Sequence, residues 1–120
     1  AVLDWEMATI GDPLMDVGTT LAYWAEPGDV DILKMFNLSY VEGNFNRAEL
    51  VQYYAAKTSV DMTHILFYYV FGLCKVAVIA QQIYQRYVQG FSSDARFSVL
   101  NQVVKACGQK AQFSIQHQTI

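Results

Sequence analysis

The chain has 120 residues, 53% of them hydrophobic and 16% charged, with a net charge of −3 and a pI near 5.1. That length suits one domain with one core. The apolar content exceeds that of an ordinary soluble domain, so either a strongly apolar element is hidden in the centre or a surface that normally packs on something else is bare. The acidic balance offers no basic stripe, which sets nucleic-acid binding aside.

Residues 1–4 form a short apolar run closed by Asp4, which reads as the end of a buried strand. The chain opens without the charged start and apolar run of a signal peptide, and beginning inside a strand implies a lost upstream neighbour. Gly11-Asp12-Pro13 then signals a helix start, with Asp12 capping the free N–H groups and Pro13 at the first helical position. Leu14, Val17, Leu21 and Trp24 recur at helical spacing, and Pro27-Gly28-Asp29 ends that helix. Residues 29–44 read as a loop with one helical turn around Asp31 to Phe36.

A third element starts at Asn46, with Glu49 three residues on completing a capping box, and Phe45 and Leu50 placed as a hydrophobic staple; it runs to about Lys57. Asp61 is the expected cap of a long central helix over roughly Met62 to Gln89. Ile65, Leu66, Tyr69, Leu73, Val76, Ala80, Ile83 and Tyr87 give it a wide apolar face, with a narrow polar strip of Lys75, Gln82, Arg86 and Gln89. Such a helix is expected to be enclosed on several sides. Its apolar run over 65–80 is shorter than the approximately 20 residues a bilayer span needs, so no membrane association is expected. Gly90 stops it. A last helix spans about Asp94 to Cys107, leaving 108–120 as a polar tail. Cys74 and Cys107 both fall in apolar helical patterns and read as buried, reduced thiols, as in a cytoplasmic protein.

Chemistry concentrates at the start. Asp4, Glu6, Asp12 and Asp16 lie within thirteen residues. An acid directly after a buried strand presents a carboxylate into a cleft without moving, as a Mg²⁺ ligand must, and Mg²⁺ takes one or two carboxylates plus substrate phosphates. Asp4 meets that requirement and Glu6 follows on the same side. Taken on pattern alone, Asp4 reads first as an acid that simply terminates a strand.

The stretch Val2-Leu3-Asp4-Trp5-Glu6 followed by Gly11-Asp12-Pro13-Leu14-Met15-Asp16-Val17-Gly18 resembles the metal-binding motif of the aminoglycoside phosphotransferase and choline kinase-like families. The stretch Ile65 to Arg86 is similar to a bacterial branch related to the kinase-like domains of acyl-CoA dehydrogenase fusion proteins. The resemblance covers residues 1–107. It implies the C-terminal helical part of a protein kinase-like (α+β) large lobe, mainly α, with one short N-terminal strand and about four helices. It implies further that Asp4 ligates Mg²⁺ between the ATP phosphates, that Glu6 is a cofactor-side contact, and that Asp16 supports the backbone of the catalytic loop. Asp12 is assigned to capping.

The chain departs from that pattern: it carries neither the catalytic-loop segment nor a nucleotide-binding Gly-rich loop nor the small-lobe strand lysine. No His-x-Asp-x-x-x-x-Asn segment occurs: the two histidines, His64 and His117, are not followed by Asp two residues later. The catalytic base, the second metal ligand and the Gly-rich nucleotide loop are therefore expected upstream. Two readings remain open. One is a fragment of an ATP- and Mg²⁺-dependent kinase acting on a small-molecule hydroxyl acceptor, inactive alone, whose partner is the missing N-terminal lobe and catalytic loop. The other is a non-catalytic helical binding or scaffold module. An unpaired strand ending at Asp4 would also favour self-association. Tyr23, Trp24, Glu26, Glu42, Tyr53 and Tyr54 stand as either substrate contacts or core, and Lys75 as an ion-pair partner or part of a solvated strip.

Overall fold

The structure, a computed structural model, describes residues 10–120; the strand expected at 1–4, with Asp4 and Glu6, lies outside the described residues. Among those described there is no strand. The elements in order are α1 (Pro13–Tyr23), the single turn α2 (Asp31–Lys34), α3 (Arg47–Thr58), α4 (Ile65–Val88), a 3₁₀ turn (Ala95–Val99) and α5 (Leu100–His117). The mainly helical expectation therefore holds.

Local chemistry explains most boundaries. Asp12 accepts a hydrogen bond from the Leu14 N–H and Pro13 opens α1. Asn46 and Glu49 form the reciprocal capping box of α3, although Phe45 rests on Tyr53, with ring centroids 5.5 Å apart. At the end of α4 the Gly90 N–H reaches Tyr87 O and the Phe91 N–H reaches Arg86 O, with Gly90 at φ +79. This double closure requires a left-handed residue, which glycine adopts without penalty.

Three expectations about helix ends and thiols need correction. Asp61 does not cap α4: its carboxylate accepts from the backbone and hydroxyl of Thr63, forming a turn one step earlier, and α4 begins after His64. The last helix does not stop at Gly108. It continues to His117 because Ala111 and Ser114 extend the buried stripe of Leu100, Val103, Ala106 and Cys107. Continued burial outweighs the roughly 1 kcal/mol by which an exposed glycine weakens a helix. Finally, Cys74 is exposed and only Cys107 is buried.

The core forms where α4 lies between α1 and α5, its main neighbours. Tyr69, Leu73, Val76 and Ala80 of α4 are buried there with Leu21 of α1 and Val103 and Cys107 of α5. The α1–α4 crossing is a backbone contact. A Cβ on Gly72 would lie 2.3 Å from Gly18 O, and one on Gly18 would lie 2.2 Å from Tyr68 O. Only two glycines let the helices approach this closely.

The opposite face of α4 is bare, contrary to the enclosed helix expected. Phe67, Phe71, Val78 and Val88 are exposed. With 24 residues, α4 is long and apolar enough to cross a membrane by length and composition, a longer helix than the uninterrupted apolar run suggests.

Candidate functional site

The Gly-Asp-Pro segment and α1 carry the described part of the motif. Asp12 uses both carboxylate oxygens: Oδ1 accepts from the Leu14 N–H at 2.9 Å and Oδ2 accepts from the Tyr68 hydroxyl of α4. The hydrogen bond from Tyr68, then that from Leu14, holds the Asp12 carboxyl below the usual range, while Asp12 holds the Tyr68 hydroxyl above its own. Asp12 is thus a cap and an α1–α4 tie, as the capping assignment requires.

Asp16 differs. It sits in the first turn of α1, exposed, with no hydrogen-bond or ion-pair partner among the described residues. It borders a depression of about 270 Å³ lined by Pro13, Val17, Thr20, Leu50 and Tyr54. A carboxylate at the rim of an apolar hollow is placed to receive backbone or side-chain donors from another segment. Tyr54 belongs to this hollow, whereas Tyr53 does not line it; Tyr53 lies under Phe45 and Lys57.

Among the described residues, no group of three or more His, Cys, Asp or Glu is close enough to hold a metal ion. Asp4 and Glu6 supply the hard oxygen donors that Mg²⁺ takes, so the donor chemistry fits, on residues outside those described.

A second charged cluster was not legible in the sequence. Arg47, 2% exposed, pairs through Nη1 with Glu26 at 3.0 Å and through Nη2 with Asp29. Its Nε donates to Leu21 O, and the guanidinium lies over the Tyr69 ring at 5.2 Å. Lys110 of α5 reaches the other Asp29 oxygen at 2.8 Å. Burial alone would raise the Asp29 carboxyl, but hydrogen bonds from Lys110 and the Glu26 backbone, with the charge of Arg47, hold it below its ordinary value. Arg47 is the first residue of α3, so this clasp pins α3 and the connecting loops to the α1–α4–α5 core. Glu26 is therefore structural, and Trp24 likewise, donating from its indole N–H to Phe45 O at 2.8 Å. Tyr23 packs edge-on against Phe36. Lys75 and Glu42 are exposed.

The model of the phosphotransferase enzyme family matches residues 1–52. Acyl-CoA dehydrogenase family member 11 of Gallus gallus is 29% identical over 115 residues, covering 92% of this chain and 15% of that protein. The Homo sapiens member 11 is 32% identical over 95 residues, covering 78% and 12%. Acyl-CoA dehydrogenase family member 10 of Mus musculus is 35% identical over 99 residues, covering 79% and 9%. The chain thus spans at most 15% of the length of these relatives. No solved structure matches it significantly. The resemblance drawn from the Asp-Trp-Glu and Gly-Asp-Pro stretches, and from residues 65–86, holds.

Proposed function

We propose that this chain, whose first 52 residues match the phosphotransferase enzyme family, is the acceptor-side helical part of a cytoplasmic ATP- and Mg²⁺-dependent kinase that phosphorylates a hydroxyl on a small molecule. In this reading Asp4, with Glu6 beside it, holds Mg²⁺. Bound there, the ion supplies charge stabilisation to the transferring phosphoryl group. The remaining chemistry comes from a segment this sequence does not contain, since no His-x-Asp-x-x-x-x-Asn occurs in it.

The observation that carries the reading is Asp16. A carboxylate with no partner among the described residues, at the edge of the hollow formed by Pro13, Val17, Thr20, Leu50 and Tyr54, suits a docked backbone segment, the role expected of the aspartate that supports a catalytic loop. Its side chain orients that loop and takes no part in proton transfer. Asp12 and Gly18, by contrast, serve the fold.

The test uses the longer protein in which this segment occurs, assayed for ATP turnover against a panel of hydroxylated metabolites. Asp4→Asn should abolish Mg²⁺-dependent turnover. Asp16→Ala should depress kcat while leaving the melting of the 120-residue chain nearly unchanged, because an exposed first-turn acid contributes only about 0.3–1 kcal/mol. The isolated chain should show no turnover. Full activity of Asp4→Asn, or robust ATP turnover by the isolated chain, would overturn the proposal.

A further inference from the structure

The hollow beside Asp16 has one firm wall and one hinged wall. Pro13, Val17 and Thr20 belong to α1, which packs along α4 through the close contact of Gly18 with Gly72. Leu50 and Tyr54 belong to α3, which has no such extended packing on another helix. It buries Arg47 and Val51, both in its first half, and Leu50 beside them is half-buried against the core. Beyond Val51, the side chains of Gln52, Tyr53, Ala56, Lys57 and Thr58 are exposed. The hydrogen bond from Trp24 Nε1 to Phe45 O also holds the chain just before α3 begins. So α3 is a lever attached at its N-terminal end, and Tyr54 rides on its free part.

Arg47 is the fulcrum. Its side chain reaches all three core helices: Nε donates to Leu21 O of α1, the guanidinium covers the Tyr69 ring of α4, and Asp29 passes the contact on to Lys110 of α5. Its backbone N–H donates to Glu26 Oε1 at 2.7 Å, so main chain and side chain together hold the first residue of α3. A planar guanidinium fixed from several directions sets an orientation as well as a position. We propose that Arg47, Asp29 and Lys110 are positioning residues for the hollow. By fixing the angle of α3 they set the gap between Tyr54 and α1, and with it the seat of the segment that docks against Asp16. None of the three lines the hollow. This positioning role rests on Asp16 docking the catalytic loop, as in the kinase reading.

Helix geometry sets the size of the effect. Tyr54 lies two turns past Arg47, about 10 Å along the axis. A tilt of about 10° at the fulcrum therefore carries Tyr54 about 2 Å towards or away from α1. Misplacement of reacting groups by about 1 Å can cost on the order of a hundredfold in rate. The docked segment absorbs part of the shift, so loosening the clasp should slow turnover by about tenfold or more.

Two measurements test it. In the 120-residue chain, a nitroxide on the native Cys74 of α4 and another on Lys57→Cys near the end of α3 report the lever by pulsed electron resonance. Cys74 is exposed for labelling and Cys107 is buried. Lys110→Met removes the outer cation of the clasp, and Arg47→Lys keeps the charge but loses the fork; each should shift or broaden that distance by about 2 Å. The distance from Cys74 to Gln102→Cys, within the α4–α5 pair, should stay as it is, and far-UV circular dichroism verifies that each variant is folded. In the longer protein, Lys110→Met should lower kcat about tenfold or more at unchanged KM for ATP. Added to Asp16→Ala it should cost nothing further, because both act through one docked segment. An α3 distance unmoved in both variants overturns the proposal, as does an α4–α5 distance that moves equally, or turnover losses that simply multiply. A longer protein without kinase activity sinks the kinase reading, while the spin-label distances still decide whether the clasp sets the hollow.

Discussion

Replacing Gly72 by alanine puts two opposing effects in competition. In a helix interior, alanine is favoured over glycine by about 1 kcal/mol, so Gly72→Ala should stabilise α4 considered alone. The new methyl, however, would lie 2.3 Å from Gly18 O and 2.7 Å from Gly18 C. Both are backbone atoms and cannot rotate aside. Restoring an ordinary contact requires α1 and α4 to separate by about 1 Å, which loosens the interface that buries Leu21, Tyr69 and Leu73. Overpacking of this kind costs about 1–3 kcal/mol, and a clash between backbones belongs at the top of that range. The net expectation is a loss of about 2 kcal/mol. Gly108→Ala is the internal control: Gly108 also lies within a helix, but its Cβ meets nothing within 4 Å. There the propensity gain should appear undiminished, up to about 1 kcal/mol. Urea unfolding followed by circular dichroism reads both. If Gly72→Ala proves as stable as wild type, or if both substitutions shift the midpoint the same way, the close crossing is not the reason for the glycine. The double variant Gly18→Ala/Gly72→Ala should fall short of additivity, because one separation relieves both clashes.

Arg47→Met should cost about 3–5 kcal/mol, because it strands the buried Asp29 carboxylate with Lys110 as its sole remaining cation; thermal unfolding measures it. Acid unfolding tests the same clasp with a definite sign. The Asp29 carboxyl is held below its ordinary 3.8 in the folded chain, so its contribution is present above that pH and is lost as the pH falls through the depressed value. Lys110→Met removes the leading hydrogen bond that lowers it and should shift the acid-unfolding midpoint to higher pH. Thiol titration with a chromogenic disulfide at neutral pH should find one reactive cysteine in the native chain and two in denaturant. Cys74 is exposed, whereas burial, with a smaller contribution from Cys74, pushes the Cys107 thiol up to about 11.

Local signals in the sequence were reliable where one or two residues decide the outcome. The Asp12-Pro13 start, the Asn46–Glu49 box, the helical turn after Asp31 and the Gly90 stop each depend on hydrogen bonds within a few residues. Features set by distant parts were not legible. Gly108 looked like a terminator because the burial of Ala111 and Ser114 depends on α4. One local signal also failed: Asp61 was displaced from its capping role by Thr63, two residues on, which offers it two donors before the helix begins. The Arg47 clasp joins residues up to 81 apart, from Asp29 to Lys110, and no spacing rule spans that distance. Periodicity identified the buried side of α4 through Tyr69, Leu73, Val76 and Ala80, but it could not say whether the other side would be covered.

The motif itself divides once the contacts are known. In Gly11-Asp12-Pro13-Leu14-Met15-Asp16-Val17-Gly18, every residue with a strong chemical character except Asp16 has a structural task among the described residues. Asp12 caps α1 and ties it to Tyr68, Pro13 sets the first helical φ, Leu14 is buried, and Gly18 admits the backbone of α4. A scaffold module descended from the same fold would need all of these and would have no use for Asp16, where an exposed carboxylate next to an apolar hollow contributes little to stability. The two readings of the chain therefore separate at that residue. A scaffold predicts that Asp16→Ala changes nothing beyond the about 0.3–1 kcal/mol of a first-turn acid. A kinase lobe predicts that the same substitution leaves folding intact and impairs turnover in the longer protein.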